Sequence, residues 1–356
     1  MKLALGATPE NQELAVDFLA AGTGMQRYVV GRNEQSAELI EAARIDGVID
    51  DFEKKLSHWK GVPVLPLSVV TKSAVVVNCS TSISPVLVKN NLLKAGINKI
   101  VGINELILAS NDRLSWPWFV IQQREDLLCN TLEWNSLYQS MSDEESQQTL
   151  LDVVRYRLTA NPRYMQGYRI HLNDQYFEEF MKLKSEVFVD AGGFDGDTSE
   201  EFCKRCPDYR KVYLFEPSLK NMQAAQARLA SFRNIKYLCL GLSDQSGQLH
   251  FNPDAGSASA VSVGGTTTIN ATTLDKEIDE PVSFIKMDLE GWEMKALAGC
   301  ARHIKADKPK LAISVYHSAS DFRDVPRFIL SLNPEYKIYL RHYTQGWSET
   351  VMYFVP

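Results

Sequence analysis

Short apolar runs alternate with helically spaced segments through the first third of the chain. Arg27-Tyr-Val-Val30, Gly47-Val-Ile49, Val62-Pro-Val-Leu65 and Lys99-Ile-Val-Gly102 are of strand type, and residues 72–78 (KSAVVVN) form a continuous buried run. Between them, residues 34–43 place Ala37, Leu39, Ile40 and Ala43 on one helical face, and Ser84-Pro85 opens a helix through Lys94 with proline in its first turn. Strand and helix units of this length predict a small doubly wound parallel sheet over residues 1–109.

The rhythm changes over residues 110–182. Residues 125–138 and 144–159 show helical spacing, the second with Leu150, Leu151, Val154 and Leu158 on one stripe. Trp116-Pro-Trp-Phe119 reads as an aromatic knot packing between domains. This part is expected to be a helical connector. Residues 183–356 return to strands, at 187–190, 211–215, 235–239, 248–251, 283–287, 310–316, 336–340 and 350–354, most of them separated by helical stretches. The last two have no helix between them and are expected to pair antiparallel. The prediction is a Rossmann-like, seven-stranded α/β sheet with a hairpin extra, beside the smaller Rossmann-like N-terminal domain.

Composition narrows the function classes. A net charge of -6 with both signs mixed argues against a nucleic-acid binder. No stretch approaches the roughly 20 apolar residues that span a bilayer, and the opening apolar run ends at Thr8, too early for a signal-peptide core. The expectation is a soluble cytoplasmic protein; a homo-oligomer is left open. Cys203-Lys-Arg-Cys206 lacks the second pair that a zinc site needs, so reduced thiols on a helix are expected.

Candidate chemistry sits where each strand of the second half ends. After the first come Asp190, Gly192, Gly193, Asp195, Gly196, Asp197 and Thr198, after the second Glu216 and Pro217, and after the third Ser243 and Asp244. The 283–287 strand is followed by Asp288 and Glu290, and the next by His317. Ligands of open α/β sheets bind at these carboxyl ends. Glu216 follows the glycine-rich loop at the distance of a ribose-binding carboxylate. The loop carries aspartates and neither lysine nor arginine, which repels a pyrophosphate but suits an adenosine carrying positive charge. S-adenosylmethionine has that form.

The stretches VDAGGFDGDT (189–198), Leu214-Phe-Glu-Pro217, Gly241-Leu-Ser-Asp244, Thr273-Leu-Asp275 and IKMDLEGWE (285–293) resemble, in order and spacing, the motifs of FkbM-type S-adenosylmethionine-dependent methyltransferases. The resemblance covers about residues 176–356. It implies that Asp190, Gly192 and Gly196 form the cofactor loop, that Glu216 holds the ribose and that Ser243 and Asp244 flank the adenine. It also implies that Asp288 and Glu290 face the methyl-transfer centre, and that the acceptor is a hydroxyl of a sugar, glycan or nucleotide-linked sugar in a polysaccharide pathway. The family loop commonly reads D-x-G-A-N-x-G, and Phe194 stands in the asparagine place.

Methyl transfer to an alcohol needs alignment and a base. Asp288, Glu290 and His317 are the candidates, His317 having the best-suited unperturbed pKa. The same three could bind a divalent cation, though nothing in their spacing indicates one, and no metal is assigned. His342 is read as either a substrate contact or a hairpin residue, and 255–265 as a loop closing over the pocket. Two alternatives stay open: a nicotinamide-dependent oxidoreductase, and a non-catalytic module binding a sugar phosphate or a partner. In the N-terminal domain no G-x-G-x-x-G follows a strand, and the Gly31-Arg-Asn33 turn is the one candidate phosphate contact.

Overall fold

The computed structural model describes residues 3, 11–20, 24–252, 260–261 and 267–356. The chain divides into two compact units. The first comprises Met1–Thr131, Gln148–Ile170 and Tyr343–Ser348, the second Leu132–Gln147, His171–His342 and Glu349–Pro356.

In the first unit, β1 (Arg27–Val30), β2 (Gly47–Ile49), β3 (His58–Trp59), β4 (Val62–Leu65), β5 (Val75–Asn78) and β6 (Lys99–Gly102) are ordered β3-β4-β2-β1-β5-β6. β3 is antiparallel to β4, and every other pairing is parallel. Alternation along the strands sends Val29, Val48, Val75, Val77 and Val101 to one core and Tyr28, Ile49, Val76 and Ile100 to another. Burial on both faces is why these strands read as unbroken apolar runs. Helix Glu34–Ala42 follows β1 and is capped by Asn33, whose side chain accepts from Ser36 N. The aromatic knot falls within this unit rather than between domains: Trp118 packs edge-on against Trp347 at 4.9 Å, and Phe119 stacks on Tyr156 and Trp347.

In the second unit the strands are β7 (Val187–Ala191), β8 (Lys211–Phe215), β9 (Ile235–Leu238), β10 (Gly241–Leu242), β11 (Gly247–Asn252), β12 (Ala260–Val261), β13 (Thr267–Thr272), β14 (Phe284–Met287), β15 (Lys310–Ser314), β16 (Lys337–His342) and β17 (Thr350–Val355). The main sheet is ordered β16-β17-β15-β14-β7-β8-β9, with β17 antiparallel to both neighbours and β7, β8, β9, β14 and β15 parallel. Strand order reverses between β7 and β14, the place where an α/β sheet opens a ligand crevice. Phe188 anchors the core there, stacked at 4.2 Å on Phe202 and 4.8 Å on Phe284, contacts worth about 0.5–1.5 kcal/mol each beyond burial.

Three expectations change. The strand expected at 248–251 leaves the main sheet for a second one, ordered β10-β13-β11-β12. The helix expected over 125–138 breaks into Trp118–Cys129 and Thr131–Ser140, because the Asn130 side chain turns back to the Asp126 carbonyl at 3.0 Å. Of the proposed closing loop at 255–265, only Ala260–Val261 is among the described residues, where it pairs with β11; the rest lies outside them. Among the described residues no helix is long and apolar enough to cross a membrane.

Candidate active site

The glycine loop is built by its own backbone. Gly192 N and Gly193 N both donate to the Phe215 carbonyl at 3.0 Å, and Gly196 N closes the turn on Gly193 O at 2.7 Å. A Cβ on Gly192 (φ +77°) would lie 2.0 Å from the Asp288 carbonyl oxygen, and one on Gly193 2.5 Å from the Leu214 side chain. The glycines at 192 and 193 therefore let the loop press against the ends of β8 and β14. Their missing side chains face protein.

Asp190 lies beneath this loop, fully buried, where it is paired in register with Lys286 of β14. Lys286 Nζ reaches Asp190 Oδ1 at 3.0 Å and the carbonyls of Gly192 and Ala191 at 2.8 and 3.3 Å. The other Asp190 oxygen accepts from Ser199 Oγ at 2.6 Å. Burial opposes the lysine's charge, but Asp190, with Asp288 beyond it, outweighs that and raises its pKa. Asp190 thus holds the loop through Lys286 and does not face the crevice.

Glu216 ends β8 and is almost fully buried. Its carboxylate accepts from Phe194 N (3.1 Å), Ser218 N (2.8 Å) and Asn221 Nδ2 (3.4 Å). Burial raises its pKa against the pull of those hydrogen bonds. Phe194 sits in the left-handed region at φ +43° to deliver its N–H to this carboxylate. Asp195 turns away to Arg228, whose Nη2 lies 2.5 Å from Oδ2 and whose Nε donates to the Asp195 carbonyl. Asp195 is thereby tied to helix Leu219–Arg228. Asp197 and Thr198 begin the helix Asp197–Arg205.

Ser243 and Asp244 stand together against the start of helix Glu293–Ala298. Trp292 Nε1 donates to Ser243 Oγ at 3.3 Å, and Lys295 holds Asp244 at 2.8 Å. With Gly247 and Leu249 these residues wall a cavity of about 200 Å³.

Beyond β14 and β15, carboxylates surround one imidazole. His317 Nε2 lies 3.3 Å from Glu290 Oε2 and 3.6 Å from Asp288 Oδ1, and Nδ1 lies 3.1 Å from Glu293 Oε1. Burial disfavours the charged ring, yet Glu293, then Glu290 and Asp288, raise its pKa well above 6.5. That shift favours the protonated ring and so weighs against His317 as the proton acceptor. Two phenols complete the wall: Tyr176 Oη donates to Asp288 Oδ2 at 2.8 Å, and Tyr316 Oη lies 3.4 Å from the same oxygen. Burial and Asp288 raise both phenols well above 10, so they remain donors. Glu349, just before β17, is pushed up to about 7 by burial and Asp288, against the pull of Gln175 and His317. Asp288, Glu293 and His317 offer ligand atoms within 4.8 Å of one another, a set that could hold a cation; Glu290 is not in it.

Sequence reasoning thus passed over Lys286, Tyr176, Tyr316, Glu293 and Glu349. Lys286 carried a signal, a charge inside the buried run FIKM; Tyr176 and Glu349 reach the site from outside the motifs. His342 is a hairpin residue, its Nδ1 2.9 Å from Thr350 Oγ1 across β16 and β17.

Residues 190–337 match the family model described as the methyltransferase FkbM domain. This segment is an FkbM methyltransferase domain. A crystal structure of methyltransferase FkbM from Methylobacillus flagellatus KT matches 98% of this chain and 94% of its own, at 25% identity and a TM-score of 0.73. More distant matches include Aeropyrum pernix fibrillarin with natively bound S-adenosyl-L-methionine (12% identity, 48% of this chain and 67% of that one, TM-score 0.34). Another is a putative rRNA methylase from Clostridium thermocellum (12%, 49% and 90%, 0.34). No curated protein matches. The chain is a methyltransferase that carries this domain over residues 190–337, and the oxidoreductase alternative is set aside.

Proposed function

We propose that the protein transfers the methyl group of S-adenosylmethionine to a hydroxyl of a sugar, glycan or nucleotide-linked sugar. The cluster of Asp288, Glu290, Glu293 and Glu349 around a single imidazole carries this reading, because it is an anionic wall at the end of the crevice between β7 and β14. The basic groups nearest the loop are engaged: Lys286 by Asp190, Arg228 by Asp195 and Lys295 by Asp244. That charge pattern fits a cationic adenosyl ligand, which when bound supplies an electrophilic methyl group.

The chain's own residues then divide the work. The loop from Gly192 to Thr198, with Glu216 and Pro217, would receive the sugar of the adenosyl group, Glu216 accepting from its hydroxyls with lone pairs left over from its backbone contacts. Ser243 and Asp244 would flank the base. Asp288 would accept the proton of the acceptor hydroxyl, its oxygen oriented by Tyr176. His317 would orient Asp288 and Glu290, which lie 3.6 and 3.3 Å from its Nε2, and Glu349 is a second proton acceptor with a pKa suited to neutral pH. Residues 183–356 would carry the reaction, with residues 1–109 as a docking domain and 110–182 as its connector.

Calorimetry with S-adenosylhomocysteine tests the donor half. Binding is expected, and Glu216→Ala should weaken it at least ~10-fold, about 1.4 kcal/mol, within the range of a charge-assisted hydrogen bond. Absence of binding to the intact protein would refute the donor assignment. Asp288→Asn should lower turnover on a sugar acceptor more than it lowers donor affinity.

A further inference from the structure

The first unit contains a crevice that the methyltransferase reading does not use. Its parallel strands run in the order β4-β2-β1-β5-β6, so strand order reverses between β1 and β5. Two cavities open at the carboxyl ends of those strands, of about 240 and 270 Å³, and they share Gly31 and Ser80. Either approaches, and together they reach, the ~300–1,000 Å³ of small-molecule sites.

The smaller chamber is apolar with an acidic edge. Val30, Ile49, Leu67 and Leu92 line it, and Asp50 and Asp51 stand at its rim after β2. Phe52 overhangs it with 94% of its surface exposed. An aromatic ring left in solvent beside an apolar chamber is a stacking platform for a flat heterocycle. Asp50 occupies the position, after the second strand, from which a carboxylate takes a ribose diol. Its Oδ1 is used by Phe52 N and Glu53 N, and its Oδ2 faces Arg32 at 3.1 Å.

The larger chamber has a different character. Trp118, Phe119 and Trp347 form its aromatic wall, and Ser80, Thr81 and Ser82 supply polar groups opposite. An aromatic face with hydroxyls around it suits a pyranose ring. The junction of the chambers is the Gly31-Arg32-Asn33 turn. Gly31 is at φ +98°, and a Cβ there would come within 3.1 Å of Ser80 N, so the turn lies flat against the end of β5. Arg32 bridges Asp50 and Glu53 across this junction.

We infer that this crevice binds a nucleoside diphosphate sugar, the base beside Phe52, the ribose on Asp50, the phosphates at Arg32 and the sugar against Trp118 and Trp347. Arg32 would exchange the Asp50 carboxylate for phosphate, which frees Asp50 Oδ2 for the diol. The inference rests on the proposed function only in giving the docking domain a nucleotide-linked ligand.

The test is calorimetry on full-length protein presaturated with S-adenosylhomocysteine, so that adenine cannot enter the second unit. The probes are UDP, ADP, UDP-glucose, ADP-glucose and glucose. At least one nucleotide sugar should bind with Kd below about 1 mM and more tightly than its free diphosphate. Phe52→Ala, at an exposed position with no folding role, should weaken it at least ~5-fold, and Asp50→Asn, which keeps the Oδ1 turn, at least ~10-fold. Both variants should retain wild-type S-adenosylhomocysteine affinity. No binding by any nucleotide, or binding indifferent to both substitutions, overturns the inference; equal affinity for the free diphosphates overturns the sugar chamber. Loss of S-adenosylhomocysteine binding in the unmodified protein would instead strike the proposed function.

Discussion

Removing the Lys286 ammonium should be the most damaging single change in the second unit outside its apolar core. Lys286→Met keeps the length of the side chain and its packing beside the Tyr176 ring, and deletes only the charge. The ion pair with Asp190 is 3.0 Å long with side-chain exposures of 3% and 0%. Breaking a buried pair from one side costs about 3–5 kcal/mol, because the remaining charge is stranded. Asp190 would keep only the Ser199 hydroxyl, and the Gly192 and Ala191 carbonyls would lose their donor. Restoring neutrality with Asp190→Asn in the same chain should recover much of the loss, since an amide at that position can still accept from Ser199. Urea unfolding of the two single variants and the double variant forms the cycle. The lysine's raised pKa gives a pH signature as well. Its contribution is complete below the unfolded value of 10.5 and fades as pH rises through the higher folded value. A Lys286→Met variant within about 1 kcal/mol of wild type, or a double variant no better than the single, would refute the reasoning.

Other outcomes follow from the same geometry. Glu349 binds its proton more tightly in the folded state, so its share of stability is present below its ordinary value of 4.5 and lost as pH rises toward about 7. Glu349→Gln should therefore stabilise the protein at pH 8 and not at pH 4.5, read by urea midpoints at the two pH values; equal shifts at both would refute it. Gly192→Ala meets both a positive φ and a carbonyl at 2.0 Å, and should cost at least ~2 kcal/mol, more than Gly196→Ala, whose Cβ meets only contacts at 3.1 Å. Thermal melts of the pair decide the order.

How far the motif-bearing half could be read depended on what each segment faces. Strands such as β7 and β8 are buried almost throughout and read as apolar runs. β13 (TTINAT) buries only Ile269 and its last two residues, so its pattern resembles a polar turn region and goes unseen. The acids at strand ends were legible because loop positions after parallel strands converge in space whatever their separation along the chain. Their partners were not. Tyr176 precedes β7 and Glu349 precedes β17, and only the sheet order, with β17 inserted beside β15, brings both toward Asp288. The surroundings of His317 were hidden for a related reason. An unperturbed imidazole suits a base, but Glu293, visible in the sequence as one more helix residue, lies 3.1 Å from its ring.

Phe194 gives the last test of reading a loop by its backbone. A family asparagine in that place suggests a side-chain contact with the ligand. The geometry supplies another reason, since the residue must adopt φ +43° to aim its N–H at Glu216. Asparagine tolerates the left-handed region far better than a bulky aromatic residue does. Holding a residue there costs on the order of 1–3 kcal/mol. Phe194→Asn should then stabilise the protein by about 1 kcal/mol while leaving S-adenosylhomocysteine affinity within about threefold of wild type. A large gain in affinity without a gain in stability would mean that the asparagine side chain, and not its backbone preference, is what the position ordinarily selects.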